Sequence, residues 1–320
     1  MDQGVIRHPN GDLTVPARVR PGTRQSISSE DGMKRLVKGT PEWQEWRTYL
    51  DDLDTEFELY GMNVEDVLPI KREGVEKACR DYDRIEDYNR ALNNFRKARG
   101  ISSPDAQSEA DIDLSDEQQV KELIALFLNK WQCSLPNPES KYARPKNRPR
   151  VLKRFEKMTH GLHDWWQRYA EILPGCDARL HTAEDAEIEE CLELFDALCD
   201  VPVADEEKYK RKYGDVAASR TLYVMRPHFF VPWDSAIQDH LWYRGGCGHF
   251  YVRYLKRVRD RLNELDEEFK AKGSGEPGSG LAWLLNEIPG QQSCTPVELM
   301  SKYYWGTVWK VERAVDRDED

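Results

Sequence analysis

The chain has 320 residues, of which 39% are hydrophobic and 33% are charged, which is typical of a globular protein with much solvated surface. No stretch approaches the roughly 20 apolar residues of a membrane span, and the N-terminus lacks the basic and apolar regions of a signal peptide. Seven Cys without a CxxC pair predict reduced thiols and a cytoplasmic protein. The net charge of −11 argues against nucleic-acid binding by the surface as a whole.

The N-terminal part of the chain predicts an arm followed by helices. Residues 1–30 are rich in Gly, Pro, Ser and Arg, with a short strand predicted in 11–19. Thr40 and Pro41 have the pattern of a helix start, and helical patterning continues to about residue 98. The polar stretch 100–115 predicts a boundary, so that 1–110 form an arm and helical extension and 111–320 a second, helical domain.

The second domain is predicted to be almost entirely helical. Ser115 and Gln118 have capping-box spacing, and apolar stripes with the helical period then run through 120–131, 152–169 and 188–199. Further helices are predicted between Gly214 and Pro227, from Asp234, across 251–269 and from Thr295, with a flexible loop at 272–280. The fold class is therefore mainly α.

Charge is segregated along this domain. The run 141–157 holds eight Lys or Arg and one Glu, 208–214 and 253–261 are also basic, and acidic residues concentrate in 176–207. Each run by itself is most simply a solvated helix face. Three basic runs in one domain nevertheless permit a basic surface that would bind a polyanion.

Familiar cofactor and metal motifs are absent from the sequence. There is no GxGxxG after a strand, no GxxxxGK[ST], no HExxH and no GxSxG. His240, Cys247 and His249 match no usual zinc spacing. We therefore expect neither a cofactor nor a metal.

The stretch RPHFFVPWDSAIQDHL, residues 226–241, places Asp234 between an apolar aromatic run and a predicted helix. One interpretation is an N-cap, because an Asp at that position accepts hydrogen bonds from the first free backbone N–H groups. The other is a catalytic carboxylate directed into a pocket. The two are compatible, because a helix N-terminus stabilises a charged carboxylate.

The residues before Asp234 form a recognisable order. Gly214 ends a basic run, the small residues Ala217 and Ala218 follow in a short helix, and Asp234 comes twenty residues after the glycine. This order resembles the helix-hairpin-helix superfamily of base-excision DNA glycosylases, in which a hairpin glycine, a small pair, an apolar stretch and a catalytic Asp follow one another. The helix ELIALFLNKWQCSLP (122–136) is similar to an early helix of that family. The resemblance covers about 115–265.

The resemblance implies a helical bundle of the helix-hairpin-helix glycosylase type and a set of site residues. Asp234 would be the catalytic carboxylate and Arg220 would assist it. Residues expected at the wedge or base pocket are Asn129, Lys130, Trp131, Trp166, Phe230 and Trp233. Residues expected to hold DNA are Arg148, Arg150, Lys210, Lys212, Gly214 and Arg257.

Departures from the family pattern refine the expected activity. Val216 stands where bifunctional members carry a Lys, so the resemblance implies hydrolysis without a lyase step. The hairpin also lacks the usual Leu-Pro-Gly start. The expected function is monofunctional excision of a modified base from double-stranded DNA, such as glucosylated hydroxymethylcytosine in phage DNA. The alternatives are a non-catalytic nucleic-acid-binding module and a protein-interaction scaffold.

Overall fold

A computed structural model describes residues 6–7, 13–16, 33–36, 41, 72–83, 86–100, 112–140, 144–175, 177–206, 209–240 and 248–306. The chain divides into two compact units, one comprising 1–69 with 238–245 and the other 70–237 with 246–320. The described residues are mainly helical, which confirms the predicted class. The boundary predicted near residue 110 stays a prediction, because 101–111 lie outside the described residues.

The first unit contains a small antiparallel sheet. Its strands β1 (Ile6–Arg7), β2 (Leu13–Pro16) and β3 (Met33–Leu36) lie in the order β1-β2-β3. Leu13 is paired with Leu36, and Ile6 with Thr14. Strand β2 confirms the short strand predicted in 11–19, whereas most of the helix predicted from Thr40 lies outside the described residues.

The second unit is built from helices and one hairpin. Among its described residues they are, in chain order, α1 (Arg72–Asp83), α2 (Glu86–Ala98), α3 (Glu117–Glu122) leading into a π-helix (Leu123–Leu128), α4 (Arg148–Tyr169), α5 (Asp185–Cys199), β4 (Pro202–Glu206), β5 (Tyr209–Lys212), α6 (Asp215–Met225), α7 (Ser235–His240, of which 235–237 belong to this unit), α8 (Gly248–Phe269), α9 (Ser279–Glu287) and α10 (296–306). Short 3-10 helices lie at Ala170–Ile172, Leu180–Thr182 and Lys270–Lys272. Among the described residues, no helix combines the length and apolar character needed to cross a bilayer.

Several helix ends follow the predicted capping pattern, and one differs by a residue. Asp116, not Ser115, caps α3, since its carboxylate accepts hydrogen bonds from the N–H groups of Gln118 and Gln119 at 2.8 and 3.3 Å. Thr295 caps α10 by accepting from the N–H of Glu298 at 3.0 Å. Both N–H groups bind the same oxygen, Asp116 Oδ1, while the hydroxyl of Ser115 donates to Asp113 Oδ1 at 2.5 Å.

The hairpin β4–β5 and helix α9 are elements that the sequence patterns did not predict. The hairpin is antiparallel and has an irregularity between Pro202 and Ala204. Gly280 allows α9 to lie against the end of α8, because a Cβ there would collide with the carbonyl oxygen of Asp266. Part of the loop predicted at 272–280 therefore belongs to a helix start.

Two aromatic clusters form much of the core. In the first, Trp233 packs against Phe195, Tyr251 and Tyr254, with ring centroids 5.5 to 6.2 Å apart. In the second, Trp131 packs against Phe127 at 4.5 Å and Tyr223 at 6.5 Å. Large buried rings contribute strongly to stability because each removes an extensive apolar area from water. Trp233 of the first cluster lies in the segment after α6, and Tyr223 of the second cluster lies on α6 itself.

The lowered pKa of His181 predicts that the folding stability of this unit depends on pH. Burial lowers the pKa of His181 below its usual value, Arg179 lowers it further, and Asp266 opposes the shift. A depressed pKa means that the unfolded chain binds the proton more readily, so stability present above the unfolded pKa of about 6.5 is lost as pH falls through the folded pKa. We expect the wild type to lose more stability than His181→Gln between about pH 7 and pH 5. Urea unfolding at several pH values checks this, and parallel curves for the two proteins would contradict it.

Candidate functional site

Asp234 lies where the apolar segment after α6 meets the start of α7. Its Oδ1 accepts a hydrogen bond from the backbone N–H of Ile237 at 2.9 Å, so the predicted N-cap is present. Among the described residues, its Oδ2 accepts no hydrogen bond and faces the guanidinium of Arg220, with Nη2 3.9 Å away. The Asp234 side chain is 20% exposed. One oxygen is thus fixed by the helix, and the other remains available to a ligand.

Arg220 is a buried cation on α6 whose contacts reach two parts of the unit. Its side chain is 10% exposed, and its Nη1 donates to the carbonyl oxygen of Trp131 and lies 3.5 Å from Cys133 Sγ. The guanidinium also lies over the Trp131 ring, 5.2 Å from its centroid. Burial raises the pKa of the Cys133 thiol, which Arg220 opposes. Arg220 therefore joins the turn after the π-helix to the carboxylate of Asp234.

The turn over residues 131–134 is held in an unusual backbone conformation. Gln132 and Ser134 have φ of 63° and 52°, values that non-glycine residues seldom adopt. Arg211 on β5 donates to the carbonyl oxygens of Ser134 and Cys133 at 3.0 and 2.9 Å. Strain of this kind persists only where surrounding contacts over-determine the conformation. The arginines at 211 and 220 supply those contacts.

Gly214 fulfils a conformational role at the start of α6. Its φ of 84° favours glycine, and its N–H donates to the carbonyl oxygen of Cys199 at 3.0 Å. The carboxylate of Asp215 accepts from the N–H of Val216 at 2.9 Å and so occupies part of the helix N-terminus. A phosphate bound at Gly214 would meet this negative charge, which disfavours the phosphate contact expected there.

The residues expected at the wedge or base pocket fall into three groups. Phe230 and Trp233 are fully buried and Trp131 is 6% exposed, so these rings are core residues with no face open to an extruded base. The amide of Asn129 binds the backbone of Leu135 in both directions, donating at 2.9 Å and accepting at 2.6 Å. Lys130 is exposed and Trp166 half-buried, and both remain available to contact a ligand.

The cations expected to bind DNA lie mainly on the surface. Arg148 and Arg150 are exposed at the start of α4, and Lys210 and Lys212 are exposed on β5. Lys212 forms an ion pair with Asp200 at 2.7 Å, which reduces its positive potential, and Arg257 is half-buried on α8. The start of α4 therefore presents two of the expected DNA contacts, Arg148 and Arg150, at the surface.

The structure adds residues that the sequence patterns did not single out for the site. Ser219 contacts the backbone of Trp233. Arg211 binds the carbonyl oxygen of Cys133, and the Cys133 sulfur lies beside Arg220. Their partners lie 14 to 87 residues away in the chain. A contact of this range leaves no local periodicity or spacing signal.

Comparisons with family models, with curated proteins and with solved structures found no match to this chain. The fold and the site define this chain only as a protein with a mainly helical unit, in which the carboxylate of Asp234 faces the guanidinium of Arg220.

Proposed function

We propose that this chain is a monofunctional DNA glycosylase that hydrolyses the N-glycosidic bond of a modified base. The observation that carries the proposal is the arrangement of Asp234, whose carboxylate has one oxygen held by the Ile237 N–H and the other facing buried Arg220. The helix-hairpin-helix resemblance around Gly214 and Asp234 supports the same assignment.

The arrangement suits the chemistry of glycosidic cleavage. Departure of a base leaves positive charge on the sugar in an oxocarbenium-like transition state. A preorganised carboxylate stabilises such charge or orients the attacking water, and it acts most strongly where bulk water is largely excluded. The cap to Ile237 holds one oxygen of Asp234 in place, and the guanidinium of Arg220 lies 3.9 Å from the other.

The substrate would be a base extruded from double-stranded DNA, since the glycosidic bond is reached most directly outside the stack. Glucosylated hydroxymethylcytosine in phage DNA is our first candidate, and Val216 in place of a Schiff-base Lys favours hydrolysis alone. The test is incubation with duplexes carrying modified or ordinary bases, followed by alkali cleavage at abasic sites. Strand breaks specific to a modified duplex support the proposal, whereas failure to release a base from any of them contradicts it.

Binding to the DNA backbone predicts a measurable salt dependence. Arg148 and Arg150 are exposed at the start of α4, and each phosphate contact contributes about 0.9 to the slope of log affinity against log salt. We expect the double variant Arg148→Gln/Arg150→Gln to reduce that slope by up to about 2. Fluorescence anisotropy at several salt concentrations measures it.

Lys272, an exposed cation in the 3-10 helix that directly follows α8, offers a matched control. Lys272→Gln should leave the slope unchanged. A slope near zero for the wild type would favour the protein-interaction scaffold, and a steep slope without base release would favour a non-catalytic DNA-binding module.

A further inference from the structure

Ser219 is a fully buried hydroxyl whose contacts lie beside Asp234. It is on α6 immediately before Arg220, and its Oγ lies 3.0 Å from both the carbonyl oxygen and the backbone nitrogen of Trp233. The hydroxyl accepts from the Trp233 N–H, and its own proton is shared between the carbonyl oxygens of Trp233 and Val216, the latter at 3.2 Å. Both backbone polar groups of Trp233 are therefore within hydrogen-bonding distance of a single side chain.

This contact fixes the residue that directly precedes the carboxylate. The Trp233 ring is held in the core by Phe195, Tyr251 and Tyr254, and its backbone is held by Ser219. Strand pairing or helix formation would normally satisfy such backbone groups, but residues 231–234 belong to neither. The Ser219 hydroxyl supplies the hydrogen bonds that a helix or a strand would otherwise give the backbone of Trp233, directly before Asp234.

Consecutive residues of α6 thus control two different parts of the site. Ser219 binds the backbone before Asp234, and Arg220 faces the Asp234 carboxylate 3.9 Å away. Because both side chains come from one helix, a shift of the Trp233 backbone would change the distance between Arg220 and the carboxylate.

We propose that Ser219 is a positioning residue that sets the orientation of Asp234. Its consequence for catalysis rests on the proposed glycosylase function, whereas its effect on the carboxylate is a property of the fold. Ser219→Ala leaves the Trp233 N–H unpaired in the interior, so the segment is expected to shift or to open more often. Misplacement of a reacting group by about 1 Å lowers a rate by up to about 100-fold.

Thr221 offers a matched control on the same helix. It is fully buried, and its Oγ1 lies 2.8 Å from the hydroxyl of Tyr213. Within the described part of the chain, its side chain forms no hydrogen bond to Trp233 or Asp234. Thr221→Ala therefore also removes a buried hydroxyl from α6. A second variant, Ser219→Cys, keeps a weak donor and acceptor of similar size and should give intermediate results.

The first measurement is amide hydrogen exchange over residues 229–238. It reports whether Asp234 stays bound to the Ile237 N–H, and it needs no enzymatic assay. The Ile237 N–H is bound by Asp234, so loosening of the carboxylate should expose that amide. We expect exchange of this segment to rise about tenfold in Ser219→Ala, compared with little change in Thr221→Ala. An equal rise in both variants, or none in either, would overturn the proposal.

The second measurement is single-turnover base release from a modified duplex, alongside DNA affinity. Ser219→Ala should release base about 10- to 100-fold more slowly with unchanged affinity, and Ser219→Cys should recover part of the rate. A wild-type rate in Ser219→Ala would overturn the catalytic consequence. If the wild type itself releases no base, the glycosylase function fails, and hydrogen exchange alone decides whether Ser219 positions Asp234.

Discussion

Asp234→Asn is expected to slow base release by about 100- to 1000-fold while keeping the cap of α7 and a DNA affinity close to that of the wild type. Asn retains the acceptor oxygen that caps α7 at the Ile237 N–H, and Asn and Asp are comparably good at that position. The substitution removes only the negative charge, which is what the oxocarbenium-like transition state requires. Single-turnover release from a modified duplex measures the loss.

Asp116→Asn provides the matched control for this substitution. Asp116 also caps a helix through its carboxylate, bonding Gln118 and Gln119, but it does not belong to the proposed site. This variant should keep the full rate and should change stability only slightly. If Asp234→Asn also keeps the full rate, the carboxylate does not drive the reaction, although the class of enzyme would survive. Equal losses in the two variants would indicate damage to folding instead.

Most helices of the second unit could be predicted because their signals are local. The stripe through 188–199 corresponds to α5, and the stop at Pro227 corresponds to the end of α6 at Met225. Asp234 could be predicted as a cap for the same reason, since its partner Ile237 is three residues away. Periodicity and capping chemistry act within one or two helical turns, which the sequence displays directly.

The hairpin could not be predicted from the same kind of signal. Val201 and Val203 are buried, but the neighbouring acidic and basic runs resemble solvated helix faces. The hairpin turns sharply enough for Tyr209 to pair with Glu206. Its stability depends on packing against distant residues, and β propensity is a weak guide where that packing is unknown.

In the site, Asp234 could be predicted from the sequence, but the long-range contacts around it could not. Arg220 binds the Trp131 carbonyl from 89 positions away and lies over the Trp131 ring. Phe127 and Tyr223 pack against the same ring, so the Trp131 side chain belongs to the core. Trp233 illustrates the same limit. Its aromatic ring beside Asp234 suggested a base-stacking role, yet the three-dimensional packing places it at 0% exposure.

Glu298→Leu is expected to destabilise the second unit by about 3–5 kcal/mol, because it leaves two buried cations without this carboxylate. Glu298 Oε2 lies 3.4 Å from Arg96 Nη2, and its Oε1 lies 3.7 Å from Lys302 Nζ. All three residues are less than one-tenth exposed. The triad connects α2 to α10, so its loss should loosen the attachment of two helices that are remote in sequence.

The control is the triple variant Arg96→Met/Glu298→Leu/Lys302→Met, which removes all three charges together. Apolar replacement of a whole buried ionic group is often close to neutral, so the triple variant should recover most of the stability lost by the single one. Urea unfolding measures both free energies, and thermal unfolding should show a Tm lower by about 10 °C for Glu298→Leu. A loss below about 1 kcal/mol in the single variant would mean that water reaches the cations and solvates them. Recovery in the triple variant would instead show that the cost comes from the two buried cations without the Glu298 carboxylate, since the same helices would still be packed together.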